Sequence, residues 1–234
     1  MYLEDELHVS YKLGNAEVNY FPFPHFYVEN VFSHDFYKKI QLNLPDESYL
    51  FKISDKRQVP EGVYDERLVL SLDDEDLKLL PNAEFWTLLK KQFLTGGLKN
   101  FLISKFKDFI RHTHPDIGSY KTYSEILIVK DKKNYALGPH TDSTKKILTL
   151  LFYMPEDNSD ENLGTSIYIP KESKFRCLGG PHYDRSEFHR VYTFPFKKNS
   201  VFGFVKTDNS FHGVEKIDSV KNRWLLLYDI KYVI

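Results

Sequence analysis

The stretch LGPHTDSTKKILTLLFYMP, Leu137–Pro155, decides the fold. Gly138 and Pro139 bend the backbone just before His140, Thr141 and Asp142, and an apolar run rich in strand formers follows. In extended chain, residues i and i+2 point to the same face. His140 and Asp142 therefore present an imidazole and a carboxylate side by side, with Thr141 turned away. The basic turn Ser143–Lys146 reads as solvated. Two ligands one residue apart are only a fragment, so their meaning depends on a third ligand elsewhere in the chain.

Working outward, short strand patterns recur at Tyr123–Lys130, Ile147–Tyr153, Thr165–Ile169, Tyr192–Phe194, Ser200–Val205, Gly213–Ile217 and Trp224–Lys231. Turn-rich segments such as EDNSDENLG join them, and no long helical pattern lies between. That spacing excludes a βαβ plan and predicts an antiparallel sandwich or barrel, a jelly roll. Before Ser119 helical periodicity dominates. Ser33 caps a helix carrying Phe36, Ile40 and Leu44. Asn82 caps another through Phe93, closed by Gly96 and Gly97. A third, about Leu98–Arg111, lines up Leu98, Phe101, Leu102, Phe106, Phe109 and Ile110 for core packing. His25–Phe32 and Arg67–Leu72 read as strands. The expected class is α+β: a single domain over 1–234, with residues 1–118 mostly helical support on one outer face of a double-stranded β-helix over 119–234.

Composition narrows the function classes. With 32 basic and 33 acidic residues the formal charge is −1, so nothing advertises a nucleic-acid or membrane surface. Nineteen Phe and sixteen Tyr suit strand faces and pocket walls. The single cysteine, Cys177, rules out an internal disulfide framework and reads as inert. MYLEDELHVSYKLG lacks the basic start and apolar run of a signal peptide. No apolar stretch approaches the roughly 18–20 residues of a membrane span, so a cytoplasmic protein is expected.

The third ligand candidate is His212, in NSFHGVEKI, after the strand SVFGFV. In a jelly roll, strands far apart in sequence become neighbours, so His212 can close a triangle with His140 and Asp142. Two histidines and a carboxylate on one face of a metal form the facial triad of non-haem Fe(II) oxygenases, which leaves open coordination positions. Arg223 opens the strand RWLLLYDI, whose two faces are both apolar. A guanidinium there is costly without an anionic partner. If Asp218–Asn222 makes a hairpin, Arg223 lies about five residues along the sheet from His212, roughly 16 Å between backbones. A five-carbon dicarboxylate held bidentately by the arginine spans that gap.

The order H-x-D, distal His, then Arg resembles the 2-oxoglutarate/Fe(II)-dependent oxygenase superfamily, in particular its prolyl 4-hydroxylase-like branch. FPHFYVENVFSHDFYKKIQLNLP is similar to that branch's opening strand and helix, and PFKKNSVFGFVKTDNSFHGVEKI…NRWLLLYDI to its distal-His and arginine strands. The resemblance implies Fe(II) on His140, Asp142 and His212, and 2-oxoglutarate with its distal carboxylate on Arg223. It also implies O2 as oxidant, with hydroxylation of an unactivated C–H bond and release of succinate and CO2. Halogenating relatives lack the carboxylate ligand, so Asp142 favours hydroxylation. Leu225 departs from the pattern, because many members carry a hydroxyl residue there. Thr149 or Tyr123 is the expected replacement partner of the cosubstrate.

Other features have competing readings. His112 and His114 form a rival H-x-H, but histidines at a helix C-terminus complement its dipole. Lys171–Val191 is long for a connection in such a fold. Either it is a lid bringing His182, Arg185 and Arg190 to a polar substrate, or it is a solvated charged loop. Tyr135 either lines the pocket or packs. The substrate is a small molecule, a sugar or a peptide. Two competing functions remain open: a cupin-like sugar-binding or isomerase domain, for which Arg223 has no use, and a non-catalytic sensor of iron or 2-oxoglutarate.

Overall fold

A computed structural model of the chain describes residues 2–57, 59, 62, 64–73, 75–95, 97–115, 118, 121–218 and 222–233. The helix stop at Gly96, the changeover at Ser119 and the middle of the Asp218–Asn222 turn lie outside the described residues. The first half contributes α1 (Tyr2–Gly14), β1 (His25–Glu29), α2 (His34–Leu42), β2 (Phe51–Lys52), α3 (Ile53–Lys56), β3 (Arg67–Ser71), α4 (Ala83–Thr95), α5 (Leu98–Lys105) and α6 (Lys107–Thr113). The second half is β4 (Thr122–Asp131), β5 (Leu137–His140), β6 (Lys146–Tyr153), β7 (Thr165–Pro170), β8 (Phe188–Thr193), β9 (Ser200–Val205), β10 (His212–Val214) and β11 (Arg223–Tyr232).

These strands form two antiparallel sheets, ordered β1-β9-β6-β11-β4-β3-β2 and β5-β10-β7-β8. From β4 onward the chain alternates between them, returning to the first sheet at β6, β9 and β11. The larger sheet is apolar on both faces, for the period-2 reason. Trp224, Leu226, Tyr228 and Ile230 of β11, with Leu148, Leu150 and Phe152 of β6, meet the helices. Leu225 of β11, Leu151 and Tyr153 of β6, and Phe202 and Phe204 of β9 point inward, toward the smaller sheet. Each such side chain contributes about 1.5–3 kcal/mol when buried. Among the described residues, no helix is long and apolar enough to cross a membrane.

Several expectations change in detail. The acidic N-terminal segment is helical, because Val9 and Leu13 share one face and are fully buried. Ser33 does cap α2, accepting from the amide of Phe36. Asn82 does not cap α4; its side-chain amide donates to the carbonyl of Asn43 instead. The helix expected over 98–111 is two helices, broken at Phe106 (φ −102°, ψ 15°), although Leu98, Leu102, Phe106 and Ile110 still form one buried stripe. The first half is also less purely helical than expected, since β1, β2 and β3 extend the larger sheet at both edges. The predicted hairpin between the distal histidine and Arg223 is absent. β10 pairs with β5 and β7, while β11 pairs with β4 and β6, so His212 and Arg223 belong to opposite sheets.

Lys171–Val191 exposes most of its charged residues but is anchored to the fold by its apolar ones. Phe175, Cys177, Tyr183 and Phe188 pack with Tyr168 and Phe211 into a small apolar cluster. Thr141 donates to the carbonyl of Cys177 (2.8 Å), and the amide of Tyr183 donates to that of Pro139 (2.9 Å). Gly179 lies so close to the segment after β5 that a Cβ there would stand 2.6 Å from the Asp142 carbonyl oxygen.

Candidate metal centre

His140 ends β5 and His212 begins β10, and the antiparallel register sets the two directly opposite each other. Their ring centroids are 4.3 Å apart. Each imidazole folds back so that Nδ1 lies 3.0 Å from the carbonyl oxygen two residues earlier, Gly138 for His140 and Ser210 for His212. That contact places the proton on Nδ1 and leaves Nε2 with its lone pair free. Asp142 follows the strand, and one potential ligand atom from each of His140, Asp142 and His212 lies within 4.8 Å of the others. All three are buried. Two imidazoles and one carboxylate at this spacing fit a facial triad.

The electrostatics match that donor set. Burial holds the His140 imidazole well below its ordinary pKa, and the neighbouring His212 pushes in the same direction. Burial also lowers His212, against the pull of Asp142. Both rings are therefore neutral at neutral pH, the state in which they bind a metal. Burial alone would raise the Asp142 carboxyl, but the Lys146 ammonium and the two histidines overcome it and hold it below the ordinary carboxylate range.

Lys146 was expected in a solvated turn. Its side chain is only 16 % exposed, and its ammonium bridges Asp142 (3.1 Å) and Asp229 (3.0 Å). The Thr149 hydroxyl lies 2.9 Å from both Asp142 Oδ2 and Asp229 Oδ1, so its single proton is shared between two carboxylates. Thr149 thus lines the pocket and supports Asp142 from one side.

These residues wall a 440 Å³ cavity together with Arg67, Thr165, Arg223, Ile53, Arg57, Tyr64 and His182. Arg223 is almost fully buried. Its Nη1 is 2.7 Å from Asp131 Oδ2, Nε donates to the Leu163 carbonyl (2.6 Å), and Nη2 reaches Thr165 Oγ1 (3.2 Å). Arg67 clamps the same carboxylate from β3, through Nε and Nη2 at 2.6 and 2.8 Å. Arg67 and Asp131 escape sequence reading because their pairing depends on β3 and β11 flanking β4. The one available signal was an aspartate just past the apolar run Ile126–Val129.

His182 does reach the pocket. Its ring centroid is 4.5 Å from that of His140, and its Nε2 is 3.1 Å from the Tyr64 hydroxyl. Burial, with His212 adding to it, brings its pKa down to about 4. Four other expected residues lie outside the cavity lining. Tyr123 is exposed near the start of β4, opposite Lys231, because alternation turns it away from the interior. Tyr135 is buried under the Arg67 guanidinium, 4.5 Å from its ring centroid. Arg185 spends its guanidinium on the carbonyls of Leu137 and Val214, tying β5 to β10. Arg190 is exposed and 3.6 Å from Glu215.

No protein-family model matches the sequence, and no curated protein matches it. Solved structures do match the fold. It is the fold of 2-oxoglutarate-dependent non-haem oxygenases, prolyl 4-hydroxylases among them. A prolyl-4-hydroxylase from Pseudomonas putida superposes with a TM-score of 0.52 over 97 % of this chain and 98 % of that one, at 9 % identity. The non-haem alpha-ketoglutarate-dependent carbocyclase SnoK of nogalamycin biosynthesis gives 0.51 over 88 % and 79 %, at 12 % identity.

Proposed function

We propose that the chain, as one catalytic unit over 1–234, is an Fe(II)- and 2-oxoglutarate-dependent dioxygenase built on a double-stranded β-helix. The observation that carries this reading is the convergence of His140, Asp142 and His212 within 4.8 Å. Those three residues would hold Fe(II). When bound, the iron supplies O2 activation coupled to decarboxylation of 2-oxoglutarate, which ends in succinate, CO2 and a hydroxylated substrate.

The chain's own residues supply orientation. Lys146 and Thr149 fix the Asp142 carboxylate from behind. Arg67 and Arg223 share one buried carboxylate, Asp131, which leaves one net positive charge beside the cavity. That surplus suits one further carboxylate, the distal group of 2-oxoglutarate. Thr165, hydrogen-bonded to both Arg223 and Tyr153, takes the cosubstrate role first assigned to Thr149 or Tyr123. Tyr64 and His182 border the mouth, where a small molecule, a sugar or a peptide side chain would enter.

The test is turnover of 2-oxoglutarate under air with added Fe(II) and no other substrate, followed as succinate. The reading expects slow, iron-dependent succinate formation that vanishes with Asp142→Ala. Binding of both iron and 2-oxoglutarate without any succinate would favour a sensor and overturn it.

A further inference from the structure

A second cavity, of 330 Å³, is lined by His112, Thr113, His114, Thr144, Leu178, Lys206, Thr207 and Asp208. Nothing in the oxygenase reading uses it. Its notable member is Lys206, which follows β9 and is only 4 % exposed. An ammonium carries three donors. Among the described residues this one has a single hydrogen-bond acceptor, the Leu178 carbonyl at 2.6 Å, and it forms no ion pair. Asp142 and Asp208 act on it only from farther away, and burial lowers its pKa. Burying a cation with most of its donors unspent is expensive unless an anion completes the site.

The second observation is His114. Its Nε2 is buried and without a partner, while the ring hydrogen-bonds to the backbone of Lys206. Thr144 adds a hydroxyl to the same wall, while the Thr207 hydroxyl donates to Asn209 Oδ1 (2.6 Å). Asp208 is the one acidic lining residue, and it faces Arg176 at 3.9 Å. The buried ammonium, the unpartnered imidazole nitrogen and the Thr144 hydroxyl form a polar set that recognises a compact oxyanion.

We propose that this cavity is a binding site for a phosphate or carboxylate group, seated between Lys206 and His114. It stands apart from the metal centre and does not depend on the oxygenase reading. The two cavities nevertheless adjoin. Thr144 borders both, and Leu178 of this one is followed by Gly179 and Gly180 of the other. The oxyanion therefore comes either as a free anion or as one end of a longer ligand whose other end enters the metal cavity.

The experiment titrates inorganic phosphate into the full-length protein at constant ionic strength, with chloride as control, and follows the melting temperature. Phosphate is expected to raise it where chloride does not. Lys206→Arg should keep the response, and Lys206→Met should weaken phosphate binding by about tenfold or more. His114→Gln, which removes the ring without touching the ammonium, should weaken it several-fold. It serves as the independent variant if Lys206→Met does not fold. A second arm adds an alkyl phosphomonoester to protein loaded anaerobically with Fe(II) and 2-oxoglutarate. A perturbed visible band there identifies a ligand bridging both cavities, and an unperturbed band with retained binding identifies a free anion. The proposal is overturned if phosphate gives no shift beyond chloride, if Lys206→Met and His114→Gln respond like the unaltered protein, or if phosphate acts by displacing 2-oxoglutarate.

Discussion

Arg223 and Asp131 stand directly opposite each other on paired strands, joined by a 2.7 Å contact with both side chains essentially sealed from solvent. Arg67 completes the arrangement from the other side of the same carboxylate. Removing the shared anion strands two guanidinia in the interior. Asp131→Asn should therefore destabilise the protein by about 3–5 kcal/mol in chemical denaturation. Part of that loss should return on adding 2-oxoglutarate, because a bound dicarboxylate supplies a replacement anion. A loss that 2-oxoglutarate leaves untouched would place the cosubstrate elsewhere.

The Thr149 hydroxyl lies between the carboxylates of Asp142 and Asp229. Thr149→Val keeps the shape and deletes the hydroxyl. Fe(II) affinity should fall roughly tenfold, the lower end for a residue that orients a metal ligand, with 2-oxoglutarate affinity of the iron-loaded protein unchanged. Calorimetric titration separates the two constants. The opposite pattern would restore Thr149 to the cosubstrate.

Gly179 presses on the backbone of Asp142, and its φ of +145° is a conformation that side chains rarely adopt. Gly179→Ala should push the loop off the segment after β5, cost about 1–3 kcal/mol of stability and weaken Fe(II) binding. Gly180→Ala is the comparison, since its φ is similar (+151°) but its Cβ would meet open space. It should cost stability while sparing iron affinity.

Stability of the metal-free protein should fall as pH drops. His140, His182 and His212 all have pKa values lowered by folding, His182 to about 4 from 6.5. Below pH 6.5 the unfolded chain takes up protons that the folded one refuses, so stability is lost progressively between about pH 6.5 and 4. Asp142, also lowered, opposes nothing in that window, because its own contribution fades only below the ordinary carboxylate range. Urea midpoints of the metal-free protein at pH 7.5, 6 and 5 should decline in that order.

Much of this was legible beforehand, for identifiable reasons. Near-continuous apolar runs located β4, β6, β7, β9 and β11, because strands buried on both faces carry few polar residues. The pairing of His140 with His212 followed from the long reach of sandwich topology. What failed depended on tertiary neighbours. Lys146 looks solvated in the sequence, and only the approach of Asp229 on β11 gives it a buried partner. The false hairpin arose because a short turn between two strands ordinarily joins neighbours, whereas here the chain crosses between sheets. Arg185 reads as a substrate residue by its charge, and the contacts it makes, with the Leu137 and Val214 carbonyls and Glu215, come from elements distant in sequence.

Anaerobic titration of the protein with Fe(II) and then 2-oxoglutarate, watched for a visible charge-transfer band, tests the central claim most directly. The unaltered protein should develop the band, His212→Ala should not, and Arg223→Met should need at least about tenfold more 2-oxoglutarate to reach it. A band that survives in His212→Ala, or an iron-loaded protein that gives none with saturating 2-oxoglutarate, would contradict it.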